Sequence, residues 1–540
     1  MALRNSLHKF LGHPSHFPTW FFIFGYPIFW LELYVFKARQ GIVSPLAWTL
    51  FIFVAVVLLW HWLKEPKLWI VNLGKFWSSL DLIEKLLLAV GLILTIGILI
   101  IVVLAGFLPI HLIQESDCMQ YHYALPRQHL ILGSFAHIPW AADDLFLLPI
   151  DFALAPFWFV TIFLNKIPQL IICFGLLLIL LRLILSMNSS ANHWVAIIFI
   201  FALLGSHGLS VQMGTGMLDL TIAYLFFAAL DSLRRGLWLF AAVEFTFFIW
   251  SKPLMPLQIA CVGVFLVCIL LLARYFKWQI FIDMNIKYWQ QSLIAFILLS
   301  FFVAGPFIMK SMDYTATPLF PLAPGIMGTV AKIHNNPLAW DSLQQASDFW
   351  INRVKNSYGH GRDFIALLKQ WWLLAVPEKN VNNTFDYPLG LPYLLFIIPF
   401  IVGFVKDFLV KKIYFLNLFS ITMWVMWWFS TQQARFLYIP LLIVFMVSIT
   451  RYVRISKILL FCLIIALSLE IISLWGSHKR DLFRSSQEVL RPEDKQLIKI
   501  SQSYLNNHLN GYMEYWKHDV AYAQFPVRVT KEQLPHTIKF

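Results

Sequence analysis

Residues 86–110 read LLLAVGLILTIGILIIVVLAGFLPI, twenty-five positions in succession without a charged side chain. A helix crosses the hydrocarbon core of a bilayer with about 20 apolar residues. Only helices and closed barrels satisfy their backbone polar groups in lipid, and an unbroken apolar run is the helical signature. This stretch therefore sets the class as an all-α, polytopic transmembrane protein. Comparable runs lie near 18–36, 43–63, 168–188, 192–208, 217–233, 236–251, 253–274, 290–309, 387–406, 413–430, 435–450 and 457–475, so about thirteen spans are expected. The apolar stretch 141–164 opens with Asp143 and Asp144 and carries Pro149, Asp151 and Pro156. It is expected to be a membrane-surface or re-entrant helix.

The composition agrees. Of 540 residues, 59% are hydrophobic and 13% charged, whereas soluble domains are about half apolar and a quarter charged. Phe (50) and Trp (23) are abundant, as aromatic belts at both interfaces require. The net charge of +13 does not point to nucleic acid, because the basic residues flank apolar segments and form no run longer than a dipeptide. Cys173, Cys261, Cys268 and Cys462 fall inside apolar runs and only Cys118 in a loop, which offers neither a disulfide framework nor a Cys-rich zinc site. The polar N-terminus has no small-x-small cleavage site after the run that starts near Pro18, so a retained first span is expected.

Charge orients the layout. With the N-terminus inside, the cytoplasmic connections hold 18 Lys and Arg, among them Arg182, Arg234, Arg235, Lys412, Arg451 and Lys457, against 7 in the short outward ones. That is the sense of the positive-inside rule. Treating 141–164 as a full span would put Arg234 and Arg235 outside. The chain then divides into two additional N-terminal spans with a cytoplasmic loop (1–85), a transmembrane module (86–475) with outward loops at 111–167 and 311–386, and an outward tail (476–540). The 311–386 loop is expected to form a cap, and no internal repeat is visible.

Four features fall on the outward side. The loop after the third span, Glu115-Ser116-Asp117-Cys118-Met119-Gln120-Tyr121-His122-Tyr123-Ala124-Leu125-Pro126-Arg127, holds carboxylates just beyond an apolar helix, where partial dehydration tunes a base. A solvated acidic loop would read the same way. Asp219 opens a span after Gly214-Thr215-Gly216, a position that a helix N-terminus alone would favour. Lys252 interrupts an apolar stretch, as a cavity-facing or a snorkelling cation would. Arg435 follows Thr431-Gln432-Gln433-Ala434 at an outward helix end, suited either to bidentate phosphate binding or to interfacial anchoring.

Taken in order, these residues resemble bacterial membrane glycosyltransferases of the GT-C fold. Asp117 with Tyr121-His122, Pro126-Arg127, Leu130 and Gly133 is similar to that family's first outward loop, and Glu115-x-Asp117 to its variant acidic pair. Gly216-x-x-Asp219, Trp250-Ser251-Lys252, Pro306, Lys310, Ala316-Thr317-Pro318-Leu319-Phe320-Pro321, Gly359-x-Gly361-Arg362, Leu389-Gly390-Leu391-Pro392 and Gln432-Gln433-x-Arg435-Phe436-Leu437-x-x-Pro440 resemble later elements in the same order. The family's Asn-x-Pro-x-x-Glu element is poorly matched around Pro149-Ile150-Asp151, its Gly-Thr-Lys reads Trp-Ser-Lys here, and two spans precede its usual first one.

The resemblance implies a transferase that moves a sugar from a polyprenyl-phosphate donor to a hydroxyl of a glycan, lipid or protein at the periplasmic face of a bacterial inner membrane. Asp117, with Glu115, would be the base. Lys252 and Arg435, with Arg127 and Lys310, would neutralise the lipid phosphate, while Tyr121, His122 and Asp219 would bind substrate. Some proteins of this fold use a divalent metal ion, which makes one a candidate cofactor. No Asp-x-Asp occurs, against a nucleotide-sugar site. A transporter or lipid flippase is the main alternative, although its charges would gather at mid-membrane rather than at one face.

Overall fold

The computed structural model describes residues 14–35, 40–62, 76–107, 118–158 apart from 124, 127, 128, 131, 132 and 139–141, 165–187, 193–281, 287–330, short pieces between 344 and 359, 361–376 and 387–485. These residues are almost wholly helical. The helices are α1 (Thr19–Tyr34), α2 (Gln40–Trp62), α3 (Leu82–Gly106), α4 (Pro149–Trp158), α5 (Ile167–Met187), α6 (His193–Leu204), α7 (His207–Met213), α8 (Asp219–Arg235), α9 (Trp238–Ile249) and α10 (Met255–Tyr275). They continue as α11 (Trp289–Thr315), α12 (Phe364–Leu373), α13 (Leu391–Leu409), α14 (Phe415–Phe429), α15 (Tyr438–Val447) and α16 (Lys457–Ser485). A short parallel ladder pairs Gln279, Ile280 and Phe281 with Lys412, Ile413 and Tyr414.

Among the described residues, seven helical segments are long and apolar enough to cross a membrane: α3, α5, α10, α11, α13, Ala434–Tyr452 through α15, and Lys457–Gly476 of α16. The bent pair α6–α7, turned by 79°, makes an eighth if it is one span. The thirteen spans expected from apolar runs are therefore not all seen as membrane-length helices. Three have identifiable reasons to fall short. At 12 and 15 residues, α9 and α14 are shorter than a bilayer crossing requires. Helix α8 carries Thr221, Asp231 and Ser232 and is buried on nearly every face, so it is solvated by protein rather than lipid.

Of the two readings of 141–164, a membrane-surface or a re-entrant helix, the described residues 142–158 speak against the first. These described residues fold as a single turn, Ala142–Leu145, followed by α4, whose ten residues are all buried. A surface helix would leave one face outside, whereas α4 is an interior helix laid against α1. Gly25 makes that approach possible, because a Cβ there would stand 1.8 Å from the Ala153 carbonyl oxygen.

Local chemistry sets the ends and directions of the rods. Asp81 caps α3 in a reciprocal box: its carboxylate accepts from Glu84 N at 2.9 Å, and Glu84 accepts from Asp81 N at 3.1 Å. Asp81 also pairs with Lys457 at the start of α16, and farther along Gly97 packs on Ile471, so α3 and α16 run parallel. The charge layout requires the same direction for both. Helix α8 stops at Gly236, which takes the left-handed conformation (φ 76°), and α9 returns antiparallel beside it. That hairpin carries a buried polar cluster at each end.

Candidate functional site

The end of the α8–α9 hairpin away from Gly236 is built around Asp219. Although it lies in the first turn of α8, the helix is capped by no side chain, and the Asp219 carboxylate turns instead toward other elements. Its Oδ1 accepts from Lys252 Nζ, just beyond α9, and its Oδ2 lies 3.9 Å from Arg435 Nε and 3.4 Å from Gln212 Nε2. Because α9 returns alongside α8, Lys252 comes level with Asp219 although the two are 33 positions apart. Arg435 arrives on the turn Ala434–Leu437 between α14 and α15. Phe436 backs both cations, its ring centroid 3.8 Å from Lys252 Nζ and 5.5 Å from the Arg435 guanidinium carbon.

These groups line a cavity of about 200 Å³. Tyr121 and His122, which follow α3 in the chain, stand in its wall, and Leu254, Met255, Met423 and Ile439 supply apolar surface. The Lys252 and Arg435 side chains keep 21% and 12% of their surface accessible, against 4% for Asp219. The cations thus face the cavity and the carboxylate stands behind them. Among the described residues of its wall, two cations stand with one carboxylate, a cradle suited to an anion attached to an apolar body.

His122 is held from beneath. Its Nδ1 lies 3.0 Å from Oδ1 of Asp151, on α4, and Asp151 is fully buried. Burial raises the Asp151 pKa, and His122 and Lys252 offset this only in part. A ring fixed through one nitrogen by a carboxylate is oriented to exchange protons or hydrogen bonds through the other.

Of the residues singled out in the sequence, Tyr121, His122, Asp219, Lys252 and Arg435 meet at this cavity. Glu115, Asp117 and Arg127 lie outside the described residues, as does most of the tail 476–540. Asp219 does not cap its helix. Lys310 does not join the others. It is buried on α11, donating to Asp144 Oδ1 at 2.8 Å, 3.2 Å from His129 Nε2 and 4.0 Å from the Phe135 ring centroid. Asp144 also accepts from the Ile138 backbone at 2.8 Å and lies 3.2 Å from His137 Nδ1. Burial alone would raise the Asp144 pKa, but the Lys310 ammonium and His129 outweigh it and hold the carboxyl well below its ordinary range. Lys310 is occupied by a buried carboxylate and is not among the residues lining the cavity.

Other contributors were not singled out. Asp151 stands where the sequence pattern was poorest, and only a pairing across 29 positions reveals it. The Gly359-x-Gly361-Arg362 motif proves to be a buttress: Gln432 Nε2 donates to Gly361 O at 3.0 Å, and Arg362 donates to the carbonyls of Phe429 and Ser430. A Cβ at Gly359 would stand 1.6 Å from Gln432 Oε1. The motif therefore braces the segment that presents Arg435.

Among the described residues no group of three His, Cys, Asp or Glu side chains is arranged to hold a metal ion, so a divalent ion would require ligands such as Glu115 or Asp117. Comparison with protein-family models, with curated proteins and with solved structures finds no match.

Proposed function

We propose that this protein is a membrane glycosyltransferase of GT-C type, transferring a sugar from a polyprenyl-phosphate donor to a hydroxyl on a glycan, lipid or protein acceptor. The observation that carries this reading is the convergence of Lys252 and Arg435 on Asp219 at the polar end of an otherwise apolar cavity. A phosphodiester linking a prenyl chain to a sugar has one negative charge, an apolar tail and a polar head, the combination this cavity complements. The sequence layout adds a cytoplasmic N-terminus and a site on the periplasmic side of a bacterial inner membrane.

In the proposed step the acceptor oxygen attacks the anomeric carbon as the bond from that carbon to the phosphate oxygen breaks. The electron pair leaves with the phosphate, where Lys252 and Arg435 stabilise it. The acceptor proton passes to Asp117, with Glu115 beside it in sequence. Asp219 spaces the two cations. His122, oriented by Asp151, and Tyr121 hold the sugar or acceptor, and Arg127 would act from the same loop. Lys310 has no part in the step.

One feature favours the alternative, a transporter or flippase. The bend between α6 and α7 gathers His207, Ser210 and Glu470, with Ser210 Oγ donating to Glu470 at 2.6 Å, and broken helices with buried charge are a transporter trait. A lipid-extract comparison decides between the two. Cells carrying Asp117→Asn or Lys252→Met should accumulate the sugar–phosphate–polyprenol and lose one sugar from the acceptor. Unchanged pools, with transport lost instead, would establish the transporter reading.

A further inference from the structure

The short parallel ladder sits at the ends of two membrane-length helices. Helix α10 ends at Tyr275 and α13 at Leu409, and the pairs Gln279–Lys412, Ile280–Ile413 and Phe281–Tyr414 join the segments that follow them. Both helices are long and apolar enough to cross a bilayer, so the ladder lies at a membrane surface. Tyr275, Phe276, Leu409 and Val410, which lead into it, are all exposed, as residues in contact with lipid at that depth are. The ladder stands at the far end of α10 from Lys252, with 21 helical residues, about 31 Å, between them.

Cations gather on this ladder. Lys277 and Lys411 occupy matching places, one residue beyond the C-caps of α10 and α13, and Gln279 N donates to Lys411 O at 2.9 Å. Both lysines are exposed and both take the left-handed conformation (φ 58° and 60°), which glycine would adopt without strain. Side chains alternate along a strand, which puts Lys412 and Tyr414 on one face with Gln279 and Phe281. The Tyr414 ring stacks on Phe281 at 4.9 Å, and the Arg451 guanidinium carbon lies 4.0 Å from the Tyr414 ring centroid. The described segments 271–281, 403–416 and 449–456 carry seven cations and a single carboxylate, Asp407, which accepts from the Tyr452 hydroxyl at 2.6 Å. We propose that this platform binds the phosphate of an anionic phospholipid, with Lys277, Lys411, Lys412 and Arg451 around the head group and the acyl chains along the exposed ends of α10 and α13. A neutral head group would leave the cations without counter-charge, and the apolar residues beside them select an anion that carries a hydrocarbon body. The site is separate from the cavity around Asp219 and does not rest on the transferase reading.

The full-length protein in phosphatidylcholine nanodiscs, doped with a phosphatidylglycerol whose head group carries a diazirine, provides the test. Photolysis and peptide mapping should place label on segments 277–281 and 411–414. Lys277→Gln, Lys411→Gln and Lys412→Gln together should reduce that label at least about tenfold. Arginine at the same three positions should retain it, which separates loss of charge from loss of fold. A phosphatidylcholine bearing the same diazirine should label these segments at most about a tenth as much. Excess soluble glycerol phosphate should leave the label in place. Equal labelling by the phosphatidylcholine probe, undiminished label in the glutamine variant, or removal of label by glycerol phosphate would overturn the proposal. Lys252→Met, at the other end of α10, should label as the unaltered protein does, which keeps this result separate from the first cavity.

Discussion

Asp219 and Asp144 are both buried carboxylates that hold a lysine, and the difference between their lysines separates function from stability. Lys252 retains access to a cavity, whereas Lys310 is enclosed by His129, Phe135 and Asp144. Lys252→Met should lower sugar transfer at least about 100-fold, the usual loss when a group facing developing charge is removed. Donor turnover in proteoliposomes measures this. Lys310→Met should instead destabilise the fold by about 3–5 kcal/mol, because it leaves Asp144 charged in the interior without its ammonium partner. Thermal unfolding in detergent measures that loss, and adding Asp144→Leu should recover much of it. At this scale the sequence revealed which residues were unusual but not whom they met. A lysine in an apolar run looks the same whether it faces a cavity or a carboxylate, and Asp144 precedes Lys310 by 166 positions.

Helix existence follows from apolar runs, since a continuous run such as 86–106 permits no other structure in lipid. Helix length and depth follow from packing, which composition does not encode. Helix α4 is apolar enough to lie on a membrane, yet Gly25 lets α1 close over it, and the approach of two backbones depends on one missing methyl group. Gly25→Ala should therefore cost about 1–3 kcal/mol through overpacking, because the added methyl group is forced against the Ala153 carbonyl. Asp81→Ala removes both the cap of α3 and its tie to Lys457, and should lower the melting temperature less than Gly25→Ala does. Melting curves for the two variants, taken in one detergent, test both. The capping box could be read directly from Asp81-Leu82-Ile83-Glu84, whereas the Gly25 contact could not, because it joins segments far apart in the chain.

For the molecule as a whole, the Gly236 end of the α8–α9 hairpin acts as a clasp. His16, on the turn Pro14–His16, lies 2.8 Å from Asp231 and 3.0 Å from Glu244 through its two ring nitrogens, a placement between two carboxylates that favours the charged ring. Arg182 and Arg234 also reach Asp231, at 3.0 and 2.8 Å, while Thr19 and Ser232 donate to Glu244. Burial lowers the His16 pKa, but Glu244 and Asp231 more than offset it, and the net shift is above 6.5. A raised folded-state value means that the stabilisation is complete below the unfolded value and is lost as pH rises through the folded one. Melting temperature should accordingly decline as pH is raised from about 6.5, and His16→Gln should flatten that slope. The positive-inside count assigned Arg182 and Arg234 to one face, and the structure gathers them at one end of one hairpin. It gave no sign of His16, which sits in a polar stretch outside every apolar run.

Helix α8 joins this clasp to the cavity, with Asp219 and Asp231 both on its length. At 1.5 Å per residue their separation is about 18 Å, well short of the roughly 30 Å of hydrocarbon that a typical bilayer presents. With the two clusters toward opposite faces, as the charge layout has them, at least one lies below the plane of the lipid headgroups. If the cavity is the sunken one, a phosphate bound there has left its aqueous layer and been drawn down toward its own tail. A bilayer of longer acyl chains would deepen that descent and one of shorter chains would relieve it, making membrane thickness a variable to which turnover should respond.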